Sequence, residues 1–131
     1  MMSALFGNLA LFFLLVANTY TPIKYVANKL MPDNKALRQS MGDLLKAHIK
    51  CNIIGFIFGI FHMLLEFQSN WMLYTSMVIM AWLTLAGFLM RSKVDMNRDI
   101  RKYVRLLHSQ IIIFWIMVAM LIVGHLMVLG Y

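Results

Sequence analysis

Long stretches without a charged residue constrain this chain of 131 residues more than any other feature. Three of them, Met1–Ile23, Phe67–Met90 and Leu106–Tyr131, are long enough for a membrane-spanning helix, which needs about 20 apolar residues. A fourth run, Cys51–Leu65, is shorter and spans a membrane only if its helix continues on both sides. The sequence therefore predicts four transmembrane helices, at roughly residues 4–26, 44–68, 71–91 and 104–129.

The composition assigns the whole chain to one class. Hydrophobic residues make up 62% and charged residues 13%, which leaves no material for a soluble domain. We expect an all-α membrane protein in which residues 1–131 form a single antiparallel bundle of four transmembrane helices. The first span is too long for a cleavable signal peptide and no basic residue precedes it. Cys51 is the only cysteine, so an intrachain disulfide is excluded.

The basic residues predict the orientation of the chain. All 12 fall in two clusters of six, around the first and third connections between helices, and neither terminus nor the second connection contains one. Basic residues near helix ends stay on the cytoplasmic side, so both termini should be outside. A short chain without a targeting segment fits a prokaryotic plasma (inner) membrane. The net charge of +7 then marks a membrane face, and we expect no nucleic-acid partner. The clusters are Lys24, Lys29, Lys35, Arg38, Lys46 and Lys50, and Arg91, Lys93, Arg98, Arg101, Lys102 and Arg105.

Four histidines lie in two of the expected spans, and an ionisable residue inside a membrane is a hint of function. His48 and His62 are 14 residues apart in the second helix, or about 21 Å. His108 and His125 are 17 residues apart in the fourth, or about 25 Å. Because these two helices run in the same direction, His48 matches His108 in depth and His62 matches His125. Two levels with two imidazoles each are what two bis-histidine haems require.

The facing of the side chains adds to this expectation. A separation of 14 residues returns His62 to within about 40° of the face of His48. Gly55 lies seven residues from each of them on that face, and it leaves room for a flat porphyrin edge, as does Gly59 one turn further. On a straight helix, His108 and His125 would differ by about 100° in direction, or about 50° in a supercoiled one.

The stretch from His48 to His62, with 13 residues between the histidines and a central glycine, resembles the ligand helix of the di-haem membrane cytochromes b. The ferric-reductase-like membrane domains have a similar spacing. The segment Arg105-Leu-Leu-His108 is similar to the start of another ligand helix in such domains. This resemblance covers two of the four helices. It implies haem b as the cofactor, and His48, His62 and His108 as axial ligands of the haem iron.

His125 departs from the family pattern because its spacing from His108 is three residues longer. The residues at the usual distance, Ile122 and Val123, cannot bind iron. Met120 and Met127 are alternative ligands, since a thioether is a known haem ligand. On residue type alone, His125 is the expected fourth ligand.

Other residues have expected roles near such a cofactor. The anionic haem propionates need cationic partners, although the basic residues within two turns of His48 and His108 also fit a purely topological role. Glu66 lies four residues after His62 and could accept a proton from a quinol. The alternative for Glu66 is an ordinary carboxylate at the membrane surface. The candidate propionate partners are Lys46, Lys50, Lys102 and Arg105.

The function expected from these features is that of a b-type cytochrome with two haems, or one. It would transfer electrons across or within the membrane as an electron-transfer subunit and not as a stand-alone enzyme. We expect redox partner subunits or a homodimer, with a quinone as a candidate ligand. One alternative is a non-redox structural or assembly subunit whose histidines form hydrogen bonds between helices. The other is a small proton or metal transporter, which the lack of a charged residue at mid-depth disfavours.

Overall fold

The computed structural model describes residues 2–31, 33–66, 70–92 and 95–130, and all of the regular secondary structure in these ranges is helical. Four helical stretches, Met2–Leu30, Lys35–Leu65, Trp71–Arg91 and Ile111–Leu129, are long and apolar enough to cross a membrane. This confirms the all-α class and indicates a multi-pass integral membrane protein. The helices are α1 (Met2–Asn18), α2 (Tyr20–Leu30), α3 (Lys35–Leu65), α4 (Trp71–Arg91), α5 (Arg98–His108) and α6 (Ile111–Leu129).

The chain divides into two compact units, Met1–Glu66 and Phe67–Tyr131, which we call hairpin 1 and hairpin 2. In hairpin 1 the start of α1 meets the end of α3, so the two helices run antiparallel. Three small buried residues of α1, seven positions apart, face three positions of α3 with the same spacing. Small residues let helix backbones approach closely in a membrane, which accounts for this pairing. The facing pairs are Ser3 with His62, Ala10 with Gly55, and Ala17 with His48.

Phenylalanines pack beside this line of small residues. The ring of Phe58 on α3 stacks against Phe6 and Phe13 of α1, with centroid separations of 5.8 and 5.9 Å. Phe61 meets Phe6 at 5.6 Å. Ring pairs at these distances add to the free energy of association beyond the area they bury. Hairpin 1 is therefore held by aromatic packing as well as by close backbone contact.

Hairpin 2 is joined at one end by Asn70. Its side-chain oxygen accepts hydrogen bonds from the backbone N–H groups of Met72 and Leu73, and thus caps α4. Its amide nitrogen donates to the carbonyl oxygen of Gly124 on α6, at 3.2 Å. Because the start of α4 thereby meets the end of α6, these two helices are also antiparallel.

The first span differs from the single helix expected at residues 4–26, because it breaks at Thr19 into α1 and α2. The hydroxyl of Thr19 donates to the carbonyl oxygen of Val16 at 2.7 Å. The side-chain amide of Asn18 donates to the carbonyl oxygen of Leu14, also at 2.7 Å. Such side chains compete with the backbone for its acceptors. Pro22 then has no N–H to donate in the first turn of α2.

The second span begins nine residues before the expected start at residue 44, and Gly42 lies inside it. Asn34 caps the helix by accepting a hydrogen bond from the N–H of Leu37 at 3.1 Å. The resulting helix has 31 residues and a length of about 46 Å, more than the roughly 30 Å of a bilayer core. Its charged first part therefore extends beyond the apolar layer. The expected last residues, 67 and 68, lie outside the described ranges.

The third span, Trp71–Arg91, coincides with the sequence expectation, but the fourth does not. Instead of one helix from residue 104, the chain forms α5 and then α6, with a break at Ser109 and Gln110. The hydroxyl of Ser109 donates to the carbonyl oxygen of Leu106 at 3.1 Å, and the backbone of Gln110 is extended. His108 is thus the last residue of α5 and precedes the span itself.

Candidate functional site

His62 lies against the first two turns of α1. Its Nδ1 is 3.0 Å from both the carbonyl oxygen and the hydroxyl oxygen of Ser3. A Cβ added at Gly7 would lie 3.1 Å from Cε1 of the imidazole, closer than almost all such contacts in proteins. Gly7 therefore gives the flat ring its space against the helix backbone.

His48 makes the corresponding contact at the other end of α1. Its Nδ1 is 2.7 Å from the carbonyl oxygen of Ala17, which is completely buried. The ring of Tyr20 lies beside the imidazole at a centroid distance of 5.3 Å. The amide nitrogen of Asn52, one turn further along α3, is 3.2 Å from Nε2 of His48.

These contacts favour one tautomer of both rings. A backbone carbonyl oxygen can only accept, so each contact is a hydrogen bond in the tautomer whose Nδ1 carries the proton. In a neutral imidazole, Nε2 then carries the lone pair, and the amide of Asn52 donates to it in His48. A histidine that binds a metal through one nitrogen almost always donates its other N–H to such an acceptor, which orients the ring. Both histidines of hairpin 1 have this second contact.

His108 packs on α4 within hairpin 2. A Cβ added at Gly87 would lie 3.2 Å from Cε1 and 3.8 Å from Nε2 of its imidazole. The histidine is half-buried at the C-terminus of α5. As with Gly7 and His62, a glycine leaves room for a histidine ring.

His125 differs from the other three. It is exposed, and its Nδ1 is 2.7 Å from the carbonyl oxygen of Leu121, one turn back on its own helix. Its neighbour Gly124 is the residue that packs on α4, where an added Cβ would lie 2.7 Å from Leu73. The break between α5 and α6 also means that the angle expected between His108 and His125 on one continuous helix does not apply.

The other residues expected near a cofactor occupy varied positions. Gly55 is buried and faces α1, where an added Cβ would lie 3.3 Å from the carbonyl oxygen of Ala10. Its missing side chain thus serves the contact between α1 and α3 directly. Gly59 is also buried. Glu66 is exposed, and its backbone N–H donates to His62 at 3.0 Å to end α3.

The four candidate propionate partners are all exposed. Lys46 forms an ion pair with Asp43 at 2.7 Å. Two solvent-exposed partners three residues apart on a helix contribute little to stability, so this pair leaves Lys46 able to change partner. Lys50 follows on α3, and Lys102 and Arg105 lie on α5.

Sequence reasoning did not identify Ser3, Gly7, Asn52 or Gly87. Ser3 could have been found because it is followed by two small residues at intervals of seven, Ala10 and Ala17. This spacing matches that of His48, Gly55 and His62. Asn52 could have been noticed as an amide inside an apolar helix, four residues after a histidine. Gly7 and Gly87 carry no such signal, because their role depends on which helix each histidine faces.

No protein-family model, curated protein or solved structure matches this chain. Within the described residues, no three or more His, Cys, Asp or Glu side chains come together as a group that could hold a metal ion. A haem iron needs only two axial side chains, because the porphyrin supplies its other four ligands. The oriented imidazoles are therefore the candidate functional groups of this protein.

Proposed function

We propose that this protein is a b-type cytochrome subunit that carries electrons across or within a membrane. The observation that supports this most is the Nδ1 contact of His48 and His62 with backbone carbonyl oxygens of α1, at 2.7 and 3.0 Å. It holds each ring in the form whose Nε2 can bind iron. Haem b, when bound, supplies one-electron chemistry, and the protein supplies ligation and orientation.

The proposed ligands of one haem are His48 and His108, and those of the other are His62 and His125. This pairing follows from the depth in the membrane that the sequence predicts for each histidine. The protein would then carry two haems, or one if His125 does not ligate. Gly7 and Gly87 leave space for two of these rings, those of His62 and His108. Binding through Nε2 of His48 requires the Asn52 amide to turn away, which a rotation of that side chain achieves.

Other groups have proposed roles around the haems. Lys46, Lys50, Lys102 and Arg105 are the proposed partners of the inner propionates, because they are cationic and close in sequence to His48 and His108. Glu66 is the proposed acceptor of a proton from a quinol.

The proposed setting is a prokaryotic plasma membrane with both termini outside, as the two basic clusters indicate. In this setting the chain would act as the quinone-linked membrane anchor of an oxidoreductase, or as a homodimer.

Absorption spectra of the purified protein, oxidised and reduced, test this proposal. We expect a haem Soret band, and the same loss of haem from His48→Ala as from His108→Ala. The matched control is Cys51→Ala, which removes a half-buried side chain less than one turn from His48 and should keep its haem. Carefully prepared protein without a Soret band would exclude the cytochrome function.

A second candidate function is that of a structural or assembly subunit. The contacts of His62 with Ser3 and of His48 with Ala17 favour it, because each joins two helices of the same hairpin. In that case the protein contains no haem, and the histidine variants change only its stability. The same spectra and variants therefore separate the two functions.

A further inference from the structure

Helix α5 has a basic face. Four of its 11 residues are basic and only Asp99 is acidic. At 100° per residue, the four basic positions fall within an arc of about 100°. They are Arg98, Arg101, Lys102 and Arg105, and Arg98, Lys102 and Arg105 are exposed.

The opposite side of α5 is an apolar stripe. Ile100, Tyr103 and Leu107 recur at steps of three and four residues, and their exposed fractions are 53%, 64% and 44%. A third side contacts α4, where Val104 is buried to 7% exposure and His108 packs on Gly87. The helix is thus anchored along one side and leaves its basic and apolar sides uncovered.

Helix α5 is also separate from the span that follows. The side chain of Asn97 caps its start by accepting a hydrogen bond from the N–H of Asp99 at 2.9 Å, and Ser109 ends it. The 19 residues of α6 fall within the range of about 17–25 residues that crosses a bilayer core, so α6 can span without α5. The five charged residues of α5 would be costly in that core. Helix α5 therefore belongs at the membrane surface.

We propose that α5 is an interfacial helix that binds anionic phospholipid headgroups with its basic face while its apolar stripe inserts among the acyl chains. The charge of the basic face argues for an anionic partner. The apolar stripe on the opposite side argues for a lipid, since a helix lying at a membrane surface faces headgroups on one side and acyl chains on the other. This inference concerns the position of α5 and the charge of the leaflet, and it is tested on the haem-free chain because Lys102 and Arg105 are also proposed propionate partners.

The test uses the full chain in nanodiscs of phosphatidylcholine, with and without phosphatidylglycerol. A fluorophore on Tyr103→Cys, in a Cys51→Ser background, reports on the apolar stripe, and acrylamide serves as a neutral quencher from the water phase. We expect phosphatidylglycerol to reduce quenching at low ionic strength. High salt should remove the effect, since the Debye length shrinks to about 3 Å at 1 M.

Variants identify the residues involved. Each basic residue near an anionic leaflet strengthens binding roughly five-fold. The combined change Arg98→Gln, Lys102→Gln and Arg105→Gln should therefore lower the equilibrium constant for binding of α5 to phosphatidylglycerol about a hundredfold. The matched control replaces Lys24, Lys29 and Lys35 of hairpin 1 by Gln and should respond as the natural chain does. Circular dichroism checks that the triple variant is folded. The single change Arg98→Glu is a second variant that disturbs folding less, since an acidic residue is favourable in the first turn of a helix.

Any of three results would overturn the proposal. The first is quenching that is the same with and without phosphatidylglycerol, and the second is quenching that falls equally in the triple variant and the natural chain. The third is protection by inorganic phosphate in pure phosphatidylcholine nanodiscs, which would make the basic face a site for soluble anions.

Discussion

The two hairpins treat their histidines differently. In hairpin 1, the Nδ1 atoms of His48 and His62 both lie within hydrogen-bond distance of carbonyl oxygens of the neighbouring helix α1. In hairpin 2, His108 ends a separate helix, and His125 is exposed and bonded only within α6 among the contacts described above. Two matched contacts along one pair of helices make a rigid site, whereas hairpin 2 leaves its second ring facing outward. The comparison identifies His125 as the histidine whose ligand role most needs an experiment.

The largest expected difference is between His62→Ala and His125→Ala. Loss of His62 removes its bond to Ser3 and its packing on Gly7, and we expect the free energy of unfolding to fall by about 1–3 kcal/mol. Loss of the exposed His125 should change it by less than about 0.5 kcal/mol. Unfolding of the haem-free chain in detergent, followed by circular dichroism, measures both. Equal effects would remove the distinction between the hairpins.

A smaller effect is expected from Gly7→Ala. The new Cβ would lie 3.1 Å from the ring of His62, so the imidazole or α1 must shift by a few tenths of an ångström. We expect a loss of about 1 kcal/mol in the same unfolding measurement, typical of mild overpacking. Gly42→Ala is the control: its Cβ would meet nothing within 4 Å, and alanine is favoured inside a helix by up to about 1 kcal/mol. If Gly7→Ala were as stable as Gly42→Ala, the ring of His62 would not be held closely.

The smallest effect is expected from Asn52→Leu, which removes the amide beside Nε2 of His48. If His48 binds haem through Nε2, the haem no longer has to displace a hydrogen bond worth about 0.5–1.5 kcal/mol. Haem titrations followed at the Soret band should then show affinity roughly two- to tenfold higher. A lower affinity would mean that Asn52 supports the bound ring instead of competing with the haem.

The sequence predicts the helical class and the positions of the spans because both depend on averages over many residues. It also predicts that His48 and His62 share one face, since that follows from helical periodicity alone. The breaks at Thr19 and at Ser109 depend on single side chains that take a backbone acceptor, which no average detects.

The candidate site was harder to predict than the spans. The histidine positions follow from the sequence, but their partners follow from how α3 pairs with α1 and how α5 packs on α4. For this reason the roles of Gly7 and Gly87 follow only from the structure, and Gly55 proved to contact α1.

The matched spacing in hairpin 1 limits how the length of this chain can change. The contacts of α1 with α3 recur every seven residues, and the two helices run in opposite directions. Ser3 meets His62, Ala10 meets Gly55, and Ala17 meets His48. Inserting one residue between Ala10 and Ala17 would rotate all later side chains of α1 by about 100° and remove the carbonyl oxygen that His48 uses. An insertion of seven would restore the face but extend the helix by about 10 Å, beyond its partner. Substitutions can therefore accumulate on the outer surfaces of these two helices, whereas insertions and deletions are excluded from their interior.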